Sequence, residues 1–494
     1  LRQSSVASVE PLSTTSAVKP GGGLRSTRGS ASDCFSGEIM RIPTISPPRA
    51  PDVPEEEGRR GLLVDLAVVL AGVAMVVLVA LAGWRLIHRN VDIFLFWPPL
   101  LAFWEPHVGP GTIAAVLVAG VVALAGPGAA VRLGWRPLMA VAWVASAAWI
   151  FSLAMVDGFS RGVAGRLTSG PEYLHDVPRV GDITQMVRGF SAHILTDQPE
   201  AWTIHVGAHP PGVFLLFVWL DRLGLGGGGA AGVFCILVGS SACVAVALTL
   251  RAFGAETTAR AVLPFGVLIP GAVWIGVSAD GMFAGVLAWG IALLALGVTN
   301  TGWRADLAAI AGGIVLGYTL FLSYGLALAA PLAVVVLVAG RRWRPALLSA
   351  LGAGAVVAVF AAAGFWWLTG YALVKVIYAT SIAQTRPYGY FIWADIAALL
   401  FALGPAVLAG LRRVARRPRS LPAVAVWLAV AALLAVLAAD VSGMSKGEVE
   451  RIWLPFAMWL VLPCALLPRA HHRGWLAAQA LLALLVNHLL ATVW

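Results

Sequence analysis

The sequence predicts an all-α, polytopic transmembrane protein of about 13 spans, and three observations carry that prediction. Of its 494 residues 59% are hydrophobic and only 12% charged, with a mean hydropathy of +0.85, which leaves too little polar surface for a soluble chain of this length. Apolar runs of roughly 20 residues, enough to cross about 30 Å of hydrocarbon, recur at 61–83, 112–131, 137–156, 281–298, 346–365, 392–411, 421–439 and 475–493. These runs are rich in Ala and Leu and show no period-two alternation, so they read as helices and not as barrel strands.

Taken in order, residues 1–58 are rich in Ser, Pro, Gly and Arg, lack an apolar period and read as a disordered tail. The first methionine is Met40, which marks a natural start there as one reading. Arg59 and Arg60 precede the first span and place the N-terminus in the cytoplasm; that span is long enough to stay as an anchor. The segment 84–107 that follows is aromatic and broken by proline at Phe94-Leu95-Phe96-Trp97-Pro98-Pro99, a composition suited to the bilayer interface. Residues 59–136 thus form two additional N-terminal helices. The third span then opens the longest internal polar segment, 157–208, on the non-cytoplasmic face. Counting back from the C-terminal arginine clusters puts 366–391 and 440–451 on the same face. Between 210 and 340 five or six crossings are counted where parity demands an odd number, so one run is kinked, re-entrant or merged. Residues 461–494 supply the C-terminal helices.

The formal net charge of +10 does not form a nucleic-acid-binding stripe. Much of it clusters between apolar runs, at Arg341, Arg342 and Arg344, at Arg412, Arg413, Arg416, Arg417 and Arg419, and at Arg469 and Arg473, the positive-inside pattern of cytoplasmic loops. Within the spans charge is nearly absent apart from Asp65. Cys34, Cys235, Cys243 and Cys464 are scattered and form neither a metal-ligand spacing nor a disulfide framework.

The 157–208 segment carries Asp157, Glu172, Asp176, Asp182, Asp197 and Glu200 with His175, His193 and His205, and His209 stands just beyond its end. A loop of this length in a compact protein is either functional or disordered, and its aromatic and branched residues favour order. Residues 182–195 read as an amphipathic surface helix with Ile183, Met186, Val187 and Phe190 on one face. Each single acid has solvation as its plain alternative. Glu172 and Asp176 stand out because they are four residues apart, around Tyr173. His205 and His209, just ahead of Pro210-Pro211, can bind phosphate or a metal, or merely cap a helix. A divalent cation is therefore left open as a cofactor. Asp280 lies between two apolar runs, where a carboxylate faces a cavity or partner or else caps a helix. Arg386, Lys446, Glu448 and Arg451 lie in the two C-terminal outer segments, and outer cations suit an anion. The plain alternative there is an ion-pair net of Lys446 and Arg451 with Glu448 and Glu450.

In this order of features the sequence, over residues 137–460, resembles the GT-C superfamily of polytopic glycosyltransferases, which includes protein O-mannosyltransferases and lipid A aminoarabinose transferases. The features are an apolar span, the long acidic outer loop with its surface helix, His209-Pro210-Pro211 at the next span and then Asp280. Ser445-Lys-Gly-Glu-Val-Glu-Arg-Ile-Trp-Leu-Pro-Phe456 and Arg386-Pro-Tyr-Gly-Tyr390 are similar to segments of actinobacterial membrane proteins. The Asp-Glu pair usual soon after the superfamily's first core span is absent: Asp157 stands alone and Glu172 comes later.

The resemblance implies transfer of a hexose or pentose from a polyprenyl-phosphate donor to a cell-envelope acceptor, a glycan, lipid or protein, with inversion. It implies Glu172 or Asp176 as the base, with Asp157 and Asp182 as lesser candidates. His205, His209, Arg386, Lys446 and Arg451 become phosphate or sugar contacts, with Glu448 beside them and Asp280 lining the cavity. Membrane lipid is the other expected partner, and nucleic acid is not one. A transporter or flippase for a lipid-linked or small polar solute is the competing class, and a structural envelope factor a third.

Overall fold

The computed structural model describes residues 55–198 and 200–493, with side chains from residue 59 onward. The tail expected at 1–58 lies outside the described residues except for its last four, which already belong to a helix, Glu55–His88. The protein is all-α apart from two short strands, β1 (Ala102–Trp104) and β2 (Leu490–Thr492), which pair antiparallel. Eight helices among the described residues are long and apolar enough to cross a membrane, ten if each of two bent pairs counts as one span. The expected count was about 13. The difference falls where the helices are short, at Glu256–Val267 and Tyr324–Gly340; Pro211–Arg222 adds no crossing, because Arg222 at its end donates to Val180 O and Gly181 O of the segment that precedes it.

Two expected spans are modified by chemistry that hydropathy does not weigh. The 392–411 run breaks between Tyr388–Leu403 and Pro405–Arg416 with a bend of 104°. Gly404 takes φ 77° at the break and Pro405 cannot continue the hydrogen-bond ladder. The buried Gln479 satisfies the freed backbone: its amide donates to Leu403 O at 2.9 Å and its oxygen accepts from Ala406 N–H at 3.1 Å. The 475–493 run is helical only in His472–Leu489 and continues as β2. The expected surface helix at 182–195 is shorter too. Ile183–Gly189 is α-helical, and a single tighter turn, Phe190–His193, follows the glycine.

Ala279–Thr299 is the most buried of the eight spans and Arg59–His88 the least. Its close packing on Trp303–Leu322 depends on small residues: a Cβ on Gly297 would lie 2.8 Å from Ala309, so the backbones approach directly. Asp280 therefore enters the molecule at the head of its central helix.

The basic turns carry ion pairs of their own. Arg412 and Arg413 bracket the fully buried Asp65 at 2.8 and 2.5 Å, and Arg344 meets Asp306 at 2.7 Å. Asp65→Leu leaves two arginines, 19% and 20% exposed, without their shared carboxylate. It should cost about 2 kcal/mol, below the full penalty of a buried pair because water reaches both arginines. Thermal unfolding of the solubilised protein measures it. The remaining described cysteines, Cys235, Cys243 and Cys464, are buried and free.

Candidate functional site

The long polar segment folds as a chain of short turns over buried Tyr173, Phe190, Ile194, Trp202 and Val206. Its acids separate into distinct environments. Asp157 accepts from Arg166 at 2.7 Å and lies 3.2 Å from His107 Nε2, while Arg166 also donates to Thr492 O, so this acid ties the loop to β2. Asp182 is exposed and caps its helix, accepting from Gln185 N–H at 2.7 Å. Asp176 is buried, with one oxygen accepting from Arg179 at 2.8 Å and the other from Thr203 N–H at 2.7 Å.

That last bond sets the geometry of the neighbouring pair. Thr203 lies two residues before His205, and His205 N–H donates to Pro171 O at 3.0 Å. The two clamps hold the His205 imidazole against Glu172, with Nδ1 2.7 Å from Oε1. Glu172 is only 3% exposed. Asp176→Asn, which cannot serve both donors equally, should cost about 1–3 kcal/mol in thermal unfolding and loosen the Glu172–His205 contact.

His209 closes the same group from the other side. Its Nδ1–H donates to His205 O at 2.8 Å, and the Tyr173 hydroxyl lies 3.2 Å from that nitrogen. Burial pulls His209 down to about 4, so at neutral pH it is an uncharged imidazole with Nε2 as the basic nitrogen. Burial also raises the Tyr173 phenol, helped by the nearby Asp280 and Glu172 charges.

Asp280 is not the cap of its helix. Ser278 fills that role, its hydroxyl accepting from Gly281 N–H at 3.1 Å. Asp280, 4% exposed, instead accepts from Arg451 Nη1 at 2.6 Å, and Arg451 Nη2 donates to Glu448 at 2.9 Å. Burial disfavours the Arg451 cation, but the Asp280, Glu448 and Glu172 charges outweigh it and raise its pKa. Glu172 is shaped by the same balance: burial raises it, while the His205 hydrogen bond and the His205 and Arg451 charges bring it below its usual value. Four chain segments thus meet in one buried group made of Glu172, His205, His209, Asp280, Glu448 and Arg451.

Arg386 and Lys446 lie beside this group and lock one another. Lys446 Nζ donates to the carbonyls of Ala383 and Arg386 at 3.0 and 3.1 Å, and Arg386 donates to the Lys446 carbonyl. Of the expected ion-pair net, Arg451–Glu448 forms at 2.9 Å. Among the described residues no carboxylate lies within ion-pair distance of Arg386 or Lys446. Glu450 is 1% exposed, its Oε2 has no hydrogen-bond partner, and burial pushes it up to about 7.

Asp395, which sequence reasoning passed over, accepts from Gly447 N–H at 2.9 Å and anchors the Lys446–Arg451 turn. It sits inside an apolar span, as Asp440 does at the end of another, so Asp65 is not the only acid there. A carboxylate in an apolar run was the available signal.

Among the described residues no set of three or more His, Cys, Asp or Glu side chains is arranged to hold a metal. His205 and His209 turn their Nδ1 atoms to Glu172 and to a carbonyl, not to a common point. Two surface clefts of the 157–208 segment, of about 180 and 490 Å³, are lined by Arg179, His193 and Trp202 and by no member of the buried group. Their volume is therefore secondary to the charged group, where the chemistry is concentrated. No protein-family model matches the chain, and no curated protein matches it in sequence.

Proposed function

We propose that this multi-pass membrane protein is a GT-C-type glycosyltransferase, a hexosyl- or pentosyltransferase that moves a sugar from a polyprenyl-phosphate donor to a cell-envelope acceptor. The core is residues 137–460, and the short helices complete about 13 crossings. The site faces the non-cytoplasmic side, opposite the arginine-rich turns.

The observation that carries this reading is the convergence of Glu172–His205 with Asp280–Arg451, beside two cations, Lys446 and Arg386, that donate to backbone carbonyls. Glu172 takes the proton of the acceptor hydroxyl as that oxygen attacks the anomeric carbon. The bond from that carbon to the phosphate oxygen breaks, and polyprenyl phosphate leaves with the electron pair. Attack opposite the departing phosphate inverts the centre. Arg386 and Lys446 suit the departing phosphate because, among the described residues, no carboxylate forms an ion pair with them. Arg451, gripped by two carboxylates, orients Asp280 and Glu448 toward the same space.

A transporter or flippase is the second reading, and the buried Asp395, Asp440 and Glu450 favour it. Proteoliposomes loaded with polyprenyl-phosphate sugars, labelled in the sugar, separate the two. Transfer releases polyprenyl phosphate as the label enters an acceptor. A flippase moves the label across the bilayer with its phosphate bond intact, and that result would reject the enzyme reading.

A further inference from the structure

We propose that the end of the first span and the aromatic segment after it form a docking surface for anionic phospholipid headgroups. Between residues 93 and 104 the side chains sort by face. Ile93, Leu95, Leu100, Leu101 and Ala102 are buried, whereas Phe94, Phe96, Phe103 and Trp104 are exposed. The exposed rings make one wall: Phe96 stacks on Phe103 at 4.5 Å, Trp97 on Trp104 at 5.0 Å, and Trp84 meets Trp97 edge-on at 6.0 Å.

The wall is held rigid from behind. Ile93, Leu95 and Leu101 pack with Val79, Tyr390 and Phe391, and β1 is paired to β2. Phe94 itself has φ 54°, a left-handed conformation that bulky side chains rarely adopt. Asp92 accepts from its N–H at 2.9 Å and Arg386 donates to its carbonyl at 3.4 Å, which keeps the ring outward. Rigid aromatic rings at the end of a span belong at headgroup level.

The charge beside the wall identifies the occupant. Arg85, His88 and Arg89 end the span and are exposed. The two acids of this segment are engaged elsewhere, Asp92 on the Phe94 amide and Glu105 with Arg161 at 3.2 Å. Among the described residues no carboxylate lies within ion-pair distance of Arg85 or Arg89. A neutral glycan could stack on the rings but has no use for two unneutralised guanidinium groups. A phosphodiester set among acyl chains matches both features.

Native mass spectrometry tests this on the full chain, released from bilayers of equal phosphatidylglycerol and phosphatidylcholine. Wild type should retain phosphatidylglycerol preferentially. Arg85→Ala with Arg89→Ala should cut that preference about twenty-five-fold, two factors of about five from one lost arginine each. Phe103→Ala with Trp104→Ala should lower retention of both lipids. Equal phosphatidylglycerol retention by wild type and the double arginine variant overturns the proposal, as does equal retention of the two lipids by wild type. Displacement of phosphatidylglycerol by millimolar inorganic phosphate overturns the lipid form of the site. Arg89→Ala alone, a single exposed change expected to give a five-fold loss, covers the case in which the double variant is poorly folded.

Discussion

Glu172→Gln is expected to lower sugar transfer by about 10²- to 10⁴-fold, the loss that follows removal of a positioned proton acceptor, while the protein stays folded in its membrane. Glutamine keeps the volume and an oxygen to receive His205 Nδ1–H, so the 2.7 Å contact is weakened and not abolished. It cannot accept the acceptor's proton. The same carboxylate fixes a pH dependence. Its folded pKa is lowered, chiefly because the hydrogen bond and charge of His205 and the Arg451 charge overcome burial. A group lowered on folding contributes stability that is present above its unfolded value, about 4.3, and lost as pH falls through the folded value. Transfer by wild type should therefore persist down to about that pH, with its acid limb below it. An acid limb near pH 6 or 7 would assign the base to another group, with Glu450, pushed up to about 7, the first to consider.

Arg451→Leu is expected to be the most destabilising single change in this group of charged residues, costing about 3–5 kcal/mol. It removes the partner of Asp280 and of Glu448 together and leaves Glu172 without its nearest arginine. Uncompensated carboxylates at this burial take up protons or draw water, and either response opens the packing around Asp280 at the head of the central helix. Arg451→Lys keeps the charge but cannot reach both carboxylates with separate nitrogens, so it should recover only part of the loss. Arg451→Leu combined with Asp280→Leu should be less destabilising than the sum of the two single changes. Additive thermal shifts would show that the two residues do not depend on each other.

Much of the architecture was legible because hydropathy reports what lipid requires. The runs at 112–131, 137–156, 281–298 and 421–439 became helices within a few residues of their expected ends. The break at Gly404-Pro405 was also written in the chain, but an apolar window averages over a backbone breaker and so read one span. β2 was hidden for a different reason: Leu490, Ala491 and Thr492 after a helix become a strand only because Ala102–Trp104 offers a paired edge.

The site was legible in its parts and not in its assembly. Glu172, His205, His209, Asp280 and Arg451 each stood out as polar residues near apolar runs. The Arg451–Asp280 pair joins positions 171 residues apart, and no spacing rule brings such residues together. Asp176 looked equivalent to Glu172 by composition; in the fold one of its oxygens accepts from the Thr203 amide 27 residues on, a bond that no spacing rule predicts. Ser278 took the capping role that a sequence reading leaves open to Asp280.

The most direct measurement is a structure of the protein with a bound polyprenyl phosphate. A transferase with this site predicts phosphate density within hydrogen-bonding reach of Lys446 or Arg386, with Glu172 and His205 facing it across the space where a sugar fits. Density for a solute beside Asp395 and Asp440, with the Glu172–Arg451 group untouched, would contradict that assignment and favour transport.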